Sequence, residues 1–190
     1  MKIGLFGGSF DPVHLGHLLV AEAAREELKL ERLFFIPAAQ SPFKTDSKPT
    51  AANQRLQLLR LALAGRGWCE VDEQEIQRGG TSYTIETLRS YATRFPRAEL
   101  FYLIGGDHVN QLAKWRDAES LAQLATFVVV PRPGQMEVPF PSPFRGIQLR
   151  GFPLGISSSQ IRARVKAGLP IELLVPCAVG EAIRNNRLYL

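Results

Sequence analysis

The stretch "GLFGGSFDPVHLGH", residues 4–17, decides the fold. An apolar run ends in Gly7 and Gly8, a short polar segment follows, and His14 and His17 open what the spacing predicts to be a helix. A strand, a glycine-rich turn and a helix start form the first half of a βαβ unit. The two glycines are expected to permit a backbone turn and close approach of a phosphate to main-chain N–H groups. The helix would present its positive dipole end to that anion. His14 and His17, at i and i+3, share one face of the first turn, where both can donate to phosphate oxygens. A plainer reading of the same residues is a tight turn with two surface histidines. The spacing misses both GxGxxG and GxxxxGK[ST], so neither dinucleotide redox chemistry nor P-loop hydrolysis is supported. Zinc is disfavoured, because no third ligand has a helpful spacing.

Working outward, short apolar runs alternate with amphipathic ones. Strands are expected near 3–6, 33–36, 69–71, 100–104, 126–130 and 147–149. Most lack in/out alternation, as strands buried on both faces of a parallel sheet do. Helices are expected over 53–64, from Tyr83 to before Pro96, over "AESLAQLA", and over two final segments, "ISSSQIRARVKAG" and "CAVGEAIRNNRL". In the first helix, Val20, Ala24 and Leu28 share a face. This alternation implies an α/β fold, a doubly wound, mostly parallel Rossmann-like sheet with helices on both faces, in one domain spanning 1–190. Residues 131–146 carry five prolines and read as a long surface loop. In such sheets ligands bind beyond the carboxyl ends of the strands, and the conspicuous residues all fall there.

The chain has 190 residues, 45% hydrophobic and 22% charged, with a net charge of +5. Its basic residues are scattered, which suits small phosphate-bearing substrates and gives no stripe for nucleic acid. No apolar run is long enough for a bilayer. Cys69 and Cys177 have no ligand-like spacing, and the first residues lack the build of a secretory leader. A cytoplasmic location is the expectation, with neither nucleic acid nor membrane as partner and the oligomeric state open.

"ISSSQIR", residues 156–162, is the second candidate site. Ser157 with Gln160 matches a capping box, which alone would account for both. Ser158 and Arg162 are four apart and therefore share a face beside the exposed N–H groups of the helix start, where a guanidinium suits a polyphosphate. Two helix starts with basic residues suggest one extended triphosphate.

"GGSFDPVHLGH" together with "ISSSQIR" resembles the nucleotidyltransferase superfamily that carries an HxGH signature. The whole chain is similar to the bacterial nicotinate-nucleotide adenylyltransferases, with "SYT" at 82–84, "GGD" at 105–107, "KW" at 114–115 and "RPG" at 132–134 in matching order. The resemblance implies ATP and nicotinate mononucleotide as substrates, with Mg²⁺ carried by the phosphates and no protein metal site. It implies catalytic roles for His14, His17 and Arg162. Phosphate contacts would come from Gly7, Gly8, Ser9, Phe10, Lys44, Ser157, Ser158 and Ser159. The mononucleotide would be held by Ser82, Tyr83, Thr84, Gly105, Asp107, Trp115, Arg116 and Arg132. Trp115 would stack on the pyridine ring, the backbone around Tyr83 and Thr84 would meet the nicotinate carboxylate, and Asp107 would hydrogen-bond ribose hydroxyls. Each has a plainer reading: a tryptophan packed on the sheet, and N-caps at Ser82 or Thr81 and at Asp107. The family usually places a histidine where this chain has Phe43.

The implied reaction is attack of the mononucleotide 5′-phosphate on the α-phosphorus of ATP, releasing pyrophosphate. Its nucleophile is already an anion, which agrees with the lack of a Ser or Cys dyad. The alternatives are another transferase of the superfamily, such as pantetheine-phosphate adenylyltransferase, a non-catalytic nucleotide sensor, or a small basic nucleic-acid binder. The first leaves Trp115 and "SYT" unexplained, the second would tolerate loss of a histidine, and the third lacks a basic face.

Overall fold

Strand β1 (Lys2–Gly8) lies inside a six-stranded sheet, flanked by β2 (Arg32–Pro37) and β4 (Glu99–Ile104). The computed structural model describes residues 1–42, 49–129, 138–152 and 154–190. With β3 (Cys69–Val71), β5 (Thr126–Val129) and β6 (Gly146–Gln148), the order is β3-β2-β1-β4-β5-β6, and every pairing is parallel. The chain winds outward from β1 to β3, returns beside β1 as β4, and winds outward the other way. That reversal opens a crevice at the carboxyl ends of β1 and β4.

All six expected strands form. The strands show why their sequences read as unbroken apolar runs. Leu33 and Phe35 enter one core while Phe34 and Ile36 enter the other. The first core packs against α1 (Leu15–Leu28), α2 (Ala52–Leu63), α6 (Ser158–Lys166) and α7 (Cys177–Asn185). The second packs against α4 (Thr84–Arg94), α5 (Ala118–Leu124) and a 3₁₀ segment, Gly106–Lys114. In the central strands an apolar residue therefore removes surface from water whichever way it points.

Several local expectations are corrected. β1 continues through both glycines, which pair in register with Ile36 and Pro37, so the turn does not occur there. It occurs at Phe10, whose φ is +46° and whose ring is buried between Phe6 and Phe35. A non-glycine residue in the left-handed region is strained, and packing of the ring holds it there. In α1 the buried stripe is Leu18, Ala21, Ala24 and Leu28, with Val20 only partly buried. Helix α3 (Gln74–Arg78), five residues long, was not expected. Within the proline-rich segment, Phe144 is not a surface residue: it is buried, its ring 5.1 Å from that of Phe127, and Gly146 already belongs to β6.

Candidate active site

The crevice holds two adjoining cavities of about 410 and 400 Å³ that share Gly7, Gly8, Ser9, Gly105 and Asp107. The 400 Å³ compartment is walled by the starts of α1 and α6, the 410 Å³ one by the loop before α4 and by Trp115. A larger cavity, about 770 Å³, lies at the opposite end of the sheet beside Glu99 and Thr126, where β4 and β5 begin, and none of the motif residues line it. The motif residues line the smaller pair.

At the start of α1, His14 is the N-cap and is buried, and His17 takes the third helical position. Their rings stack with centroids 3.7 Å apart, against Phe10. The His14 backbone N–H donates to His17 Nδ1 at 3.2 Å. With Nδ1 accepting, the proton of a neutral His17 ring sits on Nε2, which makes that nitrogen a donor. The pair is therefore not symmetric: His14, buried, caps the helix, and His17, partly buried, is oriented by it.

Gly7 and Gly8 line both cavities and also make room for neighbouring side chains. A Cβ on Gly7 would lie 2.3 Å from the Tyr102 hydroxyl, and one on Gly8 would lie 3.1 Å from the Phe10 ring. Both positions thus make room for aromatic groups behind the crevice floor.

The loop between β1 and α1 is held from four sides. Buried Arg55, on α2, donates to the carbonyls of Ser9 (2.8 Å) and Thr50 (2.9 Å). The Asp11 carboxylate accepts from the Thr50 N–H (3.0 Å) and from the Tyr189 hydroxyl (2.8 Å). From α6, Ser158 donates its hydroxyl to the Pro12 carbonyl at 2.8 Å, and Arg162 donates to the Asp11 carbonyl at 2.6 Å and to Ser159 at 3.5 Å. Ser157 caps α6 in the expected capping box, with Gln160 accepting from its N–H at 2.9 Å. The starts of α1 and α6 are therefore neighbours, joined through one loop. Burial pushes the Arg55 guanidinium below its ordinary value while Asp11 pulls the other way.

Across the crevice, the Thr81–Thr84 loop is fixed to the chain that follows β2. The Ser82 N–H donates to the Gln40 carbonyl (2.9 Å), and its hydroxyl accepts from the Ala39 N–H (3.0 Å). The N-cap of α4 is Tyr83, not Ser82 or Thr81, and Gly105 rather than Asp107 caps the 3₁₀ segment. Trp115 ends that segment, half-buried, with its ring edge-on to His108 and Phe127 at 5.9 and 6.2 Å, and it also walls the cavity. Its packing role and a ligand-facing role are thus compatible. Arg116 lies over the Tyr83 ring at 4.6 Å and pairs with Glu86. Lys44, Phe43 and Arg132 lie outside the described residues.

Residues 5–164 match the model of the family described as cytidylyltransferase-like. A protein of Opitutus terrae named "probable nicotinate-nucleotide adenylyltransferase" is 43% identical over 197 residues, covering 100% of this chain and 98% of its own. One of the same name from Thermus thermophilus is 42% identical, and the match covers both chains in full. The chain belongs to the nicotinate-nucleotide adenylyltransferase family. Among solved structures it is similar to Plasmodium falciparum nicotinic acid mononucleotide adenylyltransferase complexed with NaAD (TM-score 0.78, 17% identity, covering 99% of this chain and 97% of that one), a likeness of fold. It is accordingly an enzyme of the nucleotidyltransferase class.

Within this family fold, sequence reading missed Glu75, Arg55, Tyr102 and Tyr189. Glu75 is buried on the short α3 and lines the 410 Å³ compartment. It accepts a hydrogen bond from the Thr87 hydroxyl at 2.5 Å and another from Ser82. A glutamate three residues before an arginine reads as an ordinary surface pair, so no local signal marks it. Burial also lifts the Tyr102 hydroxyl well above the usual phenol range, keeping it a neutral donor or acceptor beneath Gly7. Cys69 is buried with its thiol pushed up to about 12, so it is inert at neutral pH.

Proposed function

We propose that this chain joins ATP to nicotinate mononucleotide, giving deamido-NAD and pyrophosphate. The observation that carries the reading is the docking of the α6 start onto the loop that precedes α1, Ser158 on Pro12 and Arg162 on Asp11, which brings two helix N-termini to one compartment. The names of the full-length relatives support the same reaction.

In this reading the triphosphate of ATP lies between those two starts, near Gly8, Ser9, His14, His17, Ser157–Ser159 and Arg162. The mononucleotide occupies the other compartment, its ring against Trp115, its carboxylate toward the N–H groups at the start of α4, and its ribose near Asp107. Lys44 and Arg132 would add phosphate or adenine contacts. The attacking phosphate is already charged, so the enzyme aligns two anions and neutralises the charge that builds on pyrophosphate. Magnesium would accompany the triphosphate here and would supply charge neutralisation. The described residues contain no cluster of three His, Cys, Asp or Glu side chains to hold an ion by themselves. One domain acting in the cytoplasm completes the reading; among the described residues no helix is long and apolar enough to cross a membrane.

Pyrophosphate release tests it. With ATP and Mg²⁺, nicotinate mononucleotide should support turnover more efficiently than nicotinamide mononucleotide. Turnover with phosphopantetheine and none with either pyridine nucleotide would overturn the reading.

A further inference from the structure

The 410 Å³ compartment has the Glu75 carboxyl group in its wall, and the nicotinate ring of the proposed ligand carries another. Glu75 is 4% exposed and lines the same cavity as Ser82, Thr84 and Trp115. Its hydrogen bonds run to Thr87, on the first turns of α4, and to Ser82, in the loop that leads into α4. It therefore touches the two ends of the segment whose N–H groups would meet a ring carboxylate. An ionised Glu75 beside that carboxylate would set two like charges in a poorly solvated space, which is costly.

We propose that Glu75 couples entry of a carboxylate-bearing pyridine ring to uptake of one proton, and thereby sets which ring the compartment accepts. The inference rests on the reading of this compartment as the mononucleotide site.

Among the described residues, Arg78, Asp72 and Tyr102 act on Glu75, and Asp107 and His108 line the same cavity. Arg78, on α3 itself, favours its ionised form, and Asp72, after β3, opposes it. Asp72 is engaged by Tyr91 and Arg94 from α4. From β4, the Tyr102 hydroxyl is coupled to Glu75 and accepts from Thr84 at 3.4 Å. Burial outweighs the hydrogen bonds from Thr87 and Ser82 and raises the Glu75 carboxyl above the usual range. The neutral acid is thus brought within reach before any ligand arrives, and a ring carboxylate would raise it further. A ring carrying a neutral amide would not.

The experiment is titration calorimetry of the whole protein with nicotinate mononucleotide and with nicotinamide mononucleotide, in buffers of different ionisation enthalpy, across neutral to mildly alkaline pH. The second proton of the 5′-phosphate, near pH 6, contributes equally with both ligands. Wild type is expected to take up an extra proton only with nicotinate mononucleotide, whose Kd weakens by up to about tenfold per pH unit above the Glu75 titration. Glu75→Gln, a permanent mimic of the neutral acid, should bind nicotinate mononucleotide without that uptake and with a flat Kd profile, while binding of an ATP analogue is unchanged. Equal proton uptake with the two ligands in wild type, or undiminished uptake in Glu75→Gln, overturns the inference. Should the variant not fold, the wild-type comparison of the two ligands decides alone. If wild type binds neither mononucleotide at any pH, the reading of the site fails and this inference with it. Binding without differential uptake sinks only the inference.

Discussion

His17 lines the crevice, and because its Nδ1 accepts the His14 N–H, the proton of its neutral ring sits on Nε2. If that donor meets the triphosphate, His17→Ala should lower kcat by about 10²–10³-fold, the usual cost of losing one such donor, with the far-UV spectrum and Tm little changed. Steady-state kinetics on the variant check it; near-normal turnover would remove His17 from the reaction. Tyr189 acts at a distance. Its hydroxyl donates to Asp11, so Tyr189→Phe should cost about 1 kcal/mol, read as a Tm lower by roughly 2–4 °C in a chain of this size. An unchanged Tm would mean that the bond contributes nothing. At this scale the sequence is legible where function rests on neighbours: His14 with His17, or Ser157 with Gln160, sit within one helical turn. Asp11, Thr50, Arg55 and Tyr189 form one network, yet Tyr189 is 178 positions from Asp11. Only the fold brings them together, and residue type alone gave no reason to connect them.

Among the elements, β1 explains itself best through its two glycines. Gly7→Ala would push a Cβ against the Tyr102 hydroxyl at 2.3 Å. The strain should cost roughly 1–3 kcal/mol, and Tyr102→Phe, which removes that oxygen, should recover part of the loss. Denaturant unfolding of both single variants and the double variant tests the coupling, and strict additivity would contradict it. The 3₁₀ segment carries Trp115 at its end, so Trp115→Ala should raise the KM for the mononucleotide far more than that for ATP. Equal changes would mean that the indole only packs. The strands could be read because the central ones, β1, β2, β4 and β5, bury most of their residues on both faces and so are largely apolar. The glycine pair was misplaced into a turn because glycine is equally at home where an aromatic group crowds a strand. Helix α3 escaped notice because five residues complete too little of a helical period to show a pattern.

For the molecule as a whole, a sheet with a core on each face leaves its carboxyl edge as the place where loops from distant parts of the chain meet. Two carboxylates near that edge give stability opposite pH dependences. Burial pushes Asp72 up, but hydrogen bonds from Tyr91 and Arg94 outweigh it and hold the carboxyl below its ordinary value. Its stabilisation is therefore complete above the ordinary carboxylate range and fades as pH falls through the folded value. Glu75 is raised, so its cost is absent in acid and grows as pH climbs from the ordinary range through the folded value. Glu75→Gln should gain Tm relative to wild type as pH rises from about 4 to about 7; a constant difference would contradict this assignment.

The convergence of two helix starts on one anion, expected from motifs about 140 residues apart in the chain, is the claim on which the functional account turns. A crystal structure with a non-hydrolysable ATP analogue measures it directly. The account predicts phosphate oxygens about 3 Å from His17 Nε2 and from backbone N–H groups at the start of α6. A triphosphate found outside the crevice, for instance in the larger cavity where β4 and β5 begin, would contradict it.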